Sequence, residues 1–340
     1  MSKKNPITVI KNKTTSYLNR RPHRSFRVTR RRDYNRSLKL PGYWGFTIYV
    51  WKTLWAHRKT FILLALVYAV ISALLAAALA SQDAYLALTK ILSTTSGGTF
   101  TGVWGEVGKA GLLFVSAATG SISQTLTGEQ QVYAALIALM AWLTSVWLLR
   151  NMLAGHKVKL RDGLYNSGAP ILSTFLVGIL FIIQLLPLAI ALLSYSALSS
   201  IGVIAAGGAP AMLFWMAAAL MAVITLYLIT STTFALVIVT LPGMYPLRAI
   251  KTAGDLVIGR RLRILMRLLW MAIGLSITWT IVMIPVILID MWLKGLWPAI
   301  NWIPTVPLAL LAMGSLSIIW VSSYVYLLYR KVVDDDANPA

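Results

Sequence analysis

Six long apolar runs punctuate the chain, separated by shorter connectors rich in polar and basic residues. They extend from Phe61 to Ala80, Val132 to Met152, Ile171 to Leu193, Met212 to Val239, Leu265 to Met291 and Val306 to Leu328. Each can cross a hydrocarbon layer roughly 30 Å thick as a helix, which takes about 20 residues. The pattern predicts an all-α fold, a polytopic membrane helix bundle with about six transmembrane helices and interfacial amphipathic helices beside them. Pro187 and Pro285 fall inside two of the runs, where neighbours re-satisfy the freed backbone groups and a kink is expected.

Between Trp44 and the first run, Trp44, Ile48, Trp51 and Trp55 recur at helical spacing while Lys52, His57, Arg58 and Lys59 bring charge. This predicts a helix at headgroup level that ends before the first crossing, because one helix from Trp44 to Ala80 would far exceed a bilayer. The connector after the fourth run has the same character. Leu247, Ile250, Gly254 and Val257 form one face there, with Arg248, Lys251, Thr252 and Asp255 on another. The connector after the second run is similar, since Leu160-Arg161 precedes Ser167-Gly168 as Leu247-Arg248 precedes Ala253-Gly254. Three copies of a surface helix, span, outer loop and span would account for the order; the alternative is that cytoplasmic connectors are commonly basic and amphipathic without duplication. Residues 81–130 hold only a short apolar part and read as an outer-face segment with a surface helix around Ala84 to Leu92, a re-entrant dip being the alternative.

Composition supports the membrane assignment: 58% of residues are apolar, 12% are charged and the mean hydropathy is +0.73. With no cysteine, disulfides, thiolate chemistry and Cys-ligated metals are excluded. The first long apolar run begins only near Phe61, too late for a secretory signal peptide, so the basic amino terminus is expected to be retained.

The net charge of +21 is informative through its distribution. Six spans with both ends inside put 28 of the 31 Lys and Arg residues in the cytoplasm and leave Lys90, Lys109 and Lys294 outside. The expected location is the cell membrane, with both termini cytoplasmic. Residues 1–40 read as a disordered basic tail, 41–331 as the membrane domain and 332–340 as an acidic flexible end.

The run YPLRAIKTAGDLVIGRRLRILMRLLWMAIG, residues 245–274, resembles a recurrent segment of prokaryotic multi-pass proteins in which a proline, an amphipathic helix and a basic turn lead into a span. Such proteins include those with the glycerophosphoryl diester phosphodiesterase membrane domain and the YciC-like families. The link VKLRDGLYNSGAP, residues 158–170, is similar to the earlier equivalent segment. The resemblance extends over Trp44 to Arg330 and implies a six-helix membrane module. It carries no catalytic residues over, and the chain has no room for the soluble phosphodiesterase barrel; the basic tail departs from the family pattern.

Candidate chemistry is sparse. His23, His57 and His156 are scattered without a second ligand at helical spacing, so neither a metal nor any other cofactor is expected. Gly102, Gly105, Gly108 and Gly111 recur every third residue, but Val103 and Ala110 occupy positions where a phosphate loop needs Gly and Ser or Thr. Asp290 and Lys294 suit an exposed ion pair at the outer interface. Gln184, Tyr227, Thr230 and Thr232 are polar groups at depth, where lipid offers no partner and interhelical packing is the ordinary role. Near the first membrane contact, Arg24, Arg27, Arg30, Arg31, Arg32, Arg36 and Lys39 form a cluster suited to anionic headgroups. Phe26 and Tyr34 are too few to make a base-stacking surface, so lipid is favoured over nucleic acid.

The sequence thus favours a non-enzymatic scaffold or accessory component of the membrane. The alternative is a transporter or lipid-translocating permease, drawing its energy from another chain such as an ATPase subunit, with Gln184, Thr230 and Thr232 along its pathway. Reporter tags fused to the first and last residues should mark the same compartment. Tags on opposite faces would mean an odd number of crossings.

Overall fold

The computed structural model describes residues 40–75, 128–297, 303 and 305–337. The basic tail to Lys39, the end of the first run at 76–80, the suggested surface helix at 84–92 and the glycine triplets lie outside the described residues. Within them the fold is all-α, with no strand. The elements are α1 (Tyr43–Ala56), α2 (Arg58–Leu75), α3 (Gly128–Leu153), α4 (Leu160–Asn166), α5 (Ile171–Ser200), α6 (Val203–Ala206), α7 (Gly208–Ile238), α8 (Pro246–Val257), α9 (Arg261–Leu296) and α10 (Thr305–Ala337). Six of these, α2, α3, α5, α7, α9 and α10, are long and apolar enough to cross a membrane, and the protein is a multi-pass membrane protein. Pro187 and Pro285 lie within the continuous helices α5 and α9.

The expected break after the Trp-rich segment falls at His57, which leaves helical geometry at φ −115° and ψ 28°. A short helix precedes each odd-numbered span: α1 before α2, α4 before α5 and α8 before α9. The tight turn between α5 and α7 depends on glycine. Gly202, Gly207 and Gly208 have φ of 76°, 68° and 77°, a left-handed region that costs residues with a Cβ.

Packing centres on α10, which lies against α1, α2, α3, α7 and α9. The main core joins Phe46, Leu64, Tyr68, Leu148, Phe234, Ile264, Tyr324 and Leu328. These residues come from α1, the beginnings of α2 and α9 and the ends of α3, α7 and α10, so one end of the bundle holds the core. Fifteen of the sixteen described Lys and Arg residues belong to that end, Lys294 being the exception, and it is called the cationic end below. Toward the other end, α9 and α10 are joined separately by Leu275, Trp279, Met283, Ile287 and Val306. Trp279 Nε1 donates to Ser317 Oγ there at 2.8 Å.

Two sequence expectations change. The face of α8 that packs inward is Ala249, Ala253 and Val257, all buried, whereas Leu247 is 82% exposed. Small residues at this spacing let α8 approach α7 closely, while Ile250 and Leu256 are partly buried against the same core. The run Asp334 to Asp336 belongs to the last turn of α10, which continues to Ala337 with Val332 fully buried, and so does not form a flexible acidic end.

The contact between α3 and α4 is close. A Cβ on the buried Gly163 would fall 2.8 Å from Leu148 Cδ2 and 2.9 Å from its Cγ. Gly163→Val should therefore cost about 1–3 kcal/mol through overpacking, read as a lower thermal midpoint in detergent. Adding Leu148→Ala should recover part of the loss; full stability of the single variant would show that α4 does not pack as described.

Candidate functional site

At the cationic end, arginines join separate elements through backbone carbonyls. Arg150 of α3 donates to Thr240 O beyond α7 at 3.0 Å, and Arg260 donates to Val332 O of α10 at 3.3 Å. Arg261 donates to Tyr227 O of α7 at 3.2 Å, with its guanidinium 3.8 Å from the Tyr227 ring centroid. Arg267 donates to Pro41 O just before α1 and lies over the rings of Tyr43 and Phe46 at 5.2 and 5.6 Å. Thr240 lies just past the end of α7 and Pro41 just before α1, outside the helical ladders, whereas Tyr227 and Val332 stand inside α7 and α10, where a guanidinium adds a second donor to a carbonyl that has two lone pairs. Arg260 also pairs with Asp335 at 3.0 Å, which fastens the end of α10 to the start of α9.

Helix α1 is held along the bundle by aromatic contacts. Phe46 meets Tyr324 edge-on at 4.8 Å, Trp44 meets Trp270 at 5.1 Å, and Trp270 Nε1 donates to Thr47 Oγ1 at 3.2 Å. Trp44, Trp51 and Trp55 nonetheless keep more than half of their surface exposed, with Arg58 stacked over Trp55 at 5.3 Å. Exposed amphipathic rings beside cations suit the boundary between acyl chains and headgroups.

Of the candidate polar residues at depth, two meet. The Thr232 hydroxyl on α7 donates to Gln184 Oε1 on α5 at 2.6 Å, in preference to Leu228 O of its own helix at 3.2 Å. Thr230, buried on the same helix, instead donates to Leu226 O at 2.6 Å and makes no interhelical bond. The cluster from Arg24 to Lys39 lies outside the described residues.

The outer ion pair requires a correction. Asp290 and Lys294 do pair at 3.0 Å, but Asp290 is only 4% exposed and also accepts from Thr305 Oγ1 of α10. Burial between two spans demands these extra partners, so the pair joins α9 to α10 instead of standing at an exposed interface. Among the described residues, no group of three or more His, Cys, Asp or Glu is placed to hold a metal ion.

The sequence alone did not single out the hydrogen-bond chain in the core. Tyr68 OH lies 2.8 Å from Thr144 Oγ1, and Thr144 Oγ1 lies 2.9 Å from Ser167 Oγ. It joins α2 to α3 and to the turn before α5. Each residue is unremarkable within its own segment, so only the packing brings the three hydroxyls together. Ser167 also forms part of the wall of a cavity bounded by α3, the α4–α5 turn and the α7–α8 loop.

Comparison with known proteins yields no matching family model, no matching curated protein and no matching solved structure.

The Gln184–Thr232 bond is open to a double-mutant cycle. Gln184→Leu and Thr232→Val should each lower stability in detergent, with a coupling of about 0.6–1.7 kcal/mol between them. Strictly additive losses would show that the two side chains do not bond across the helices.

Proposed function

We propose that this chain is a non-enzymatic, multi-pass protein of the cell membrane, a scaffold or accessory component whose cationic end faces the cytoplasm and grips anionic lipid headgroups. The observation that carries this proposal is the segregation of charge, fifteen of sixteen described cations at one end. Lys52, Lys59, Lys157, Lys159, Arg161, Arg248 and Lys251 are exposed there, beside the exposed tryptophans of α1. Each cation near an anionic leaflet contributes about 1 kcal/mol, and retention of basic residues on the cytoplasmic side sets the orientation. The tail from Arg24 to Lys39 adds seven more cations to the same side.

A permease would need a polar route through the bundle. The Gln184–Thr232 bond favours a closed α5–α7 seam, since the Thr232 hydroxyl spends its hydrogen on the Gln184 carbonyl across the two helices. Accessory and scaffold roles require no such route.

The peptide of residues 1–40 should bind vesicles containing phosphatidylglycerol and be released as salt rises, because exposed charges are screened beyond about 10 Å at 0.1 M ionic strength. Equal binding to phosphatidylcholine vesicles would remove the electrostatic basis of the proposal.

A further inference from the structure

The cavity at the cationic end has a volume of about 390 Å³, within the range of roughly 300–1,000 Å³ common for small-molecule sites. Arg150, Asn166, Ser167 and Ser173 form its polar wall, and Trp147 and Tyr245 contribute aromatic surface. No acidic side chain among the described residues lines it. Arg150 gives one hydrogen bond to Thr240 O, but a guanidinium has five N–H donors and a full charge. A half-buried cation walled partly by apolar groups is costly without a counter-charge, and an anion entering the cavity would supply one.

The rest of the wall has the same preference. The first turn of the 30-residue helix α5 borders the cavity through Pro170 and Ser173 and has no side-chain cap, so its positive dipole end adds to the field of Arg150. Ser167 is buried and bonded to Thr144. Thr144 donates to Met140 O at 2.8 Å and so accepts from both Tyr68 and Ser167, which uses the Ser167 hydrogen within the bundle and leaves Ser173 as the hydroxyl donor on this wall. A guanidinium fork with a hydroxyl donor beside it matches the geometry of phosphate oxygens.

We infer that this cavity binds one phosphate-ester anion, held by Arg150 with Ser173 as a hydroxyl donor. The anion is the headgroup of a lipid or a soluble phosphate ester. The inference rests on the headgroup-binding proposal above, but it concerns a single site on the folded bundle instead of a diffuse charged face.

The test is native mass spectrometry of the full-length protein in neutral detergent, titrated with phosphatidylglycerol. One adduct should bind at least about tenfold more tightly to the wild type than to Arg150→Gln, which loses a charge-assisted fork. Ala169→Phe narrows the cavity while leaving the Arg150–Thr240 bond in place, and should cause a similar loss at an unchanged thermal midpoint. Glycerol phosphate is the competing probe. Displacement of the adduct supports the site with a soluble ester as its ligand, and persistence of the adduct supports it with lipid as its ligand. Equal affinity of the wild type and both variants overturns the site. The vesicle binding of residues 1–40 is measured separately, so either proposal can fail while the other holds.

Discussion

Four guanidinium groups donating to carbonyls on other elements hold the cationic end together. Arg150, Arg260, Arg261 and Arg267 connect α3 to the α7–α8 loop, α9 to α7 and α10, and α9 to the segment before α1. A lysine ammonium could neutralise a carbonyl dipole but not do so while its flat face lies on an aromatic ring, as Arg261 does on Tyr227 and Arg267 on Tyr43 and Phe46. Within the hydrophobic zone an unpaired carbonyl costs several kcal/mol, and the Arg150 bond supplies a donor for Thr240 O where α7 has ended.

This constraint divides the basic residues into two sets. Some bind the protein to itself, and others, including Lys52, Lys157 and Arg248, remain exposed to whatever adjoins that face. It also accounts for the uneven core. The largest buried side chains, among them Tyr324, Phe46, Phe234 and Leu64, lie at the end where the arginines act. Among the described residues, the other end has a smaller α9–α10 contact with the Asp290, Lys294 and Thr305 cluster, and Tyr195 of α5 meets Phe214 and Trp215 of α7.

Much of the fold was legible in the sequence because spans obey a length rule and a hydropathy rule that do not depend on tertiary context. The runs beginning at Ile171 and Leu265 are recovered as α5 and α9, and the break before the first span falls at His57. Gln184 and Thr232 were identifiable as polar groups needing partners, although their pairing with each other required the helix register. The inward face of α8 was misread because lipid and protein both accept apolar residues. Only close packing distinguishes Ala249 and Ala253 from Leu247. Burial of Asp290 and extension of α10 past Lys331 were hidden for a related reason, since both depend on partners, Thr305 and Arg260, brought near by folding.

The central position of α10 has a consequence for biogenesis. Helices α2 and α3 are made before α10, yet its side chains cover much of the surface they bury, including the pocket around Phe46 and Leu64. During insertion those surfaces must be covered by acyl chains or a translocon partner until α10 arrives. Assembly of the interior therefore trails synthesis by nearly the full length of the chain, and a ribosome stalled before Thr305 would leave a set of inserted but unconsolidated helices.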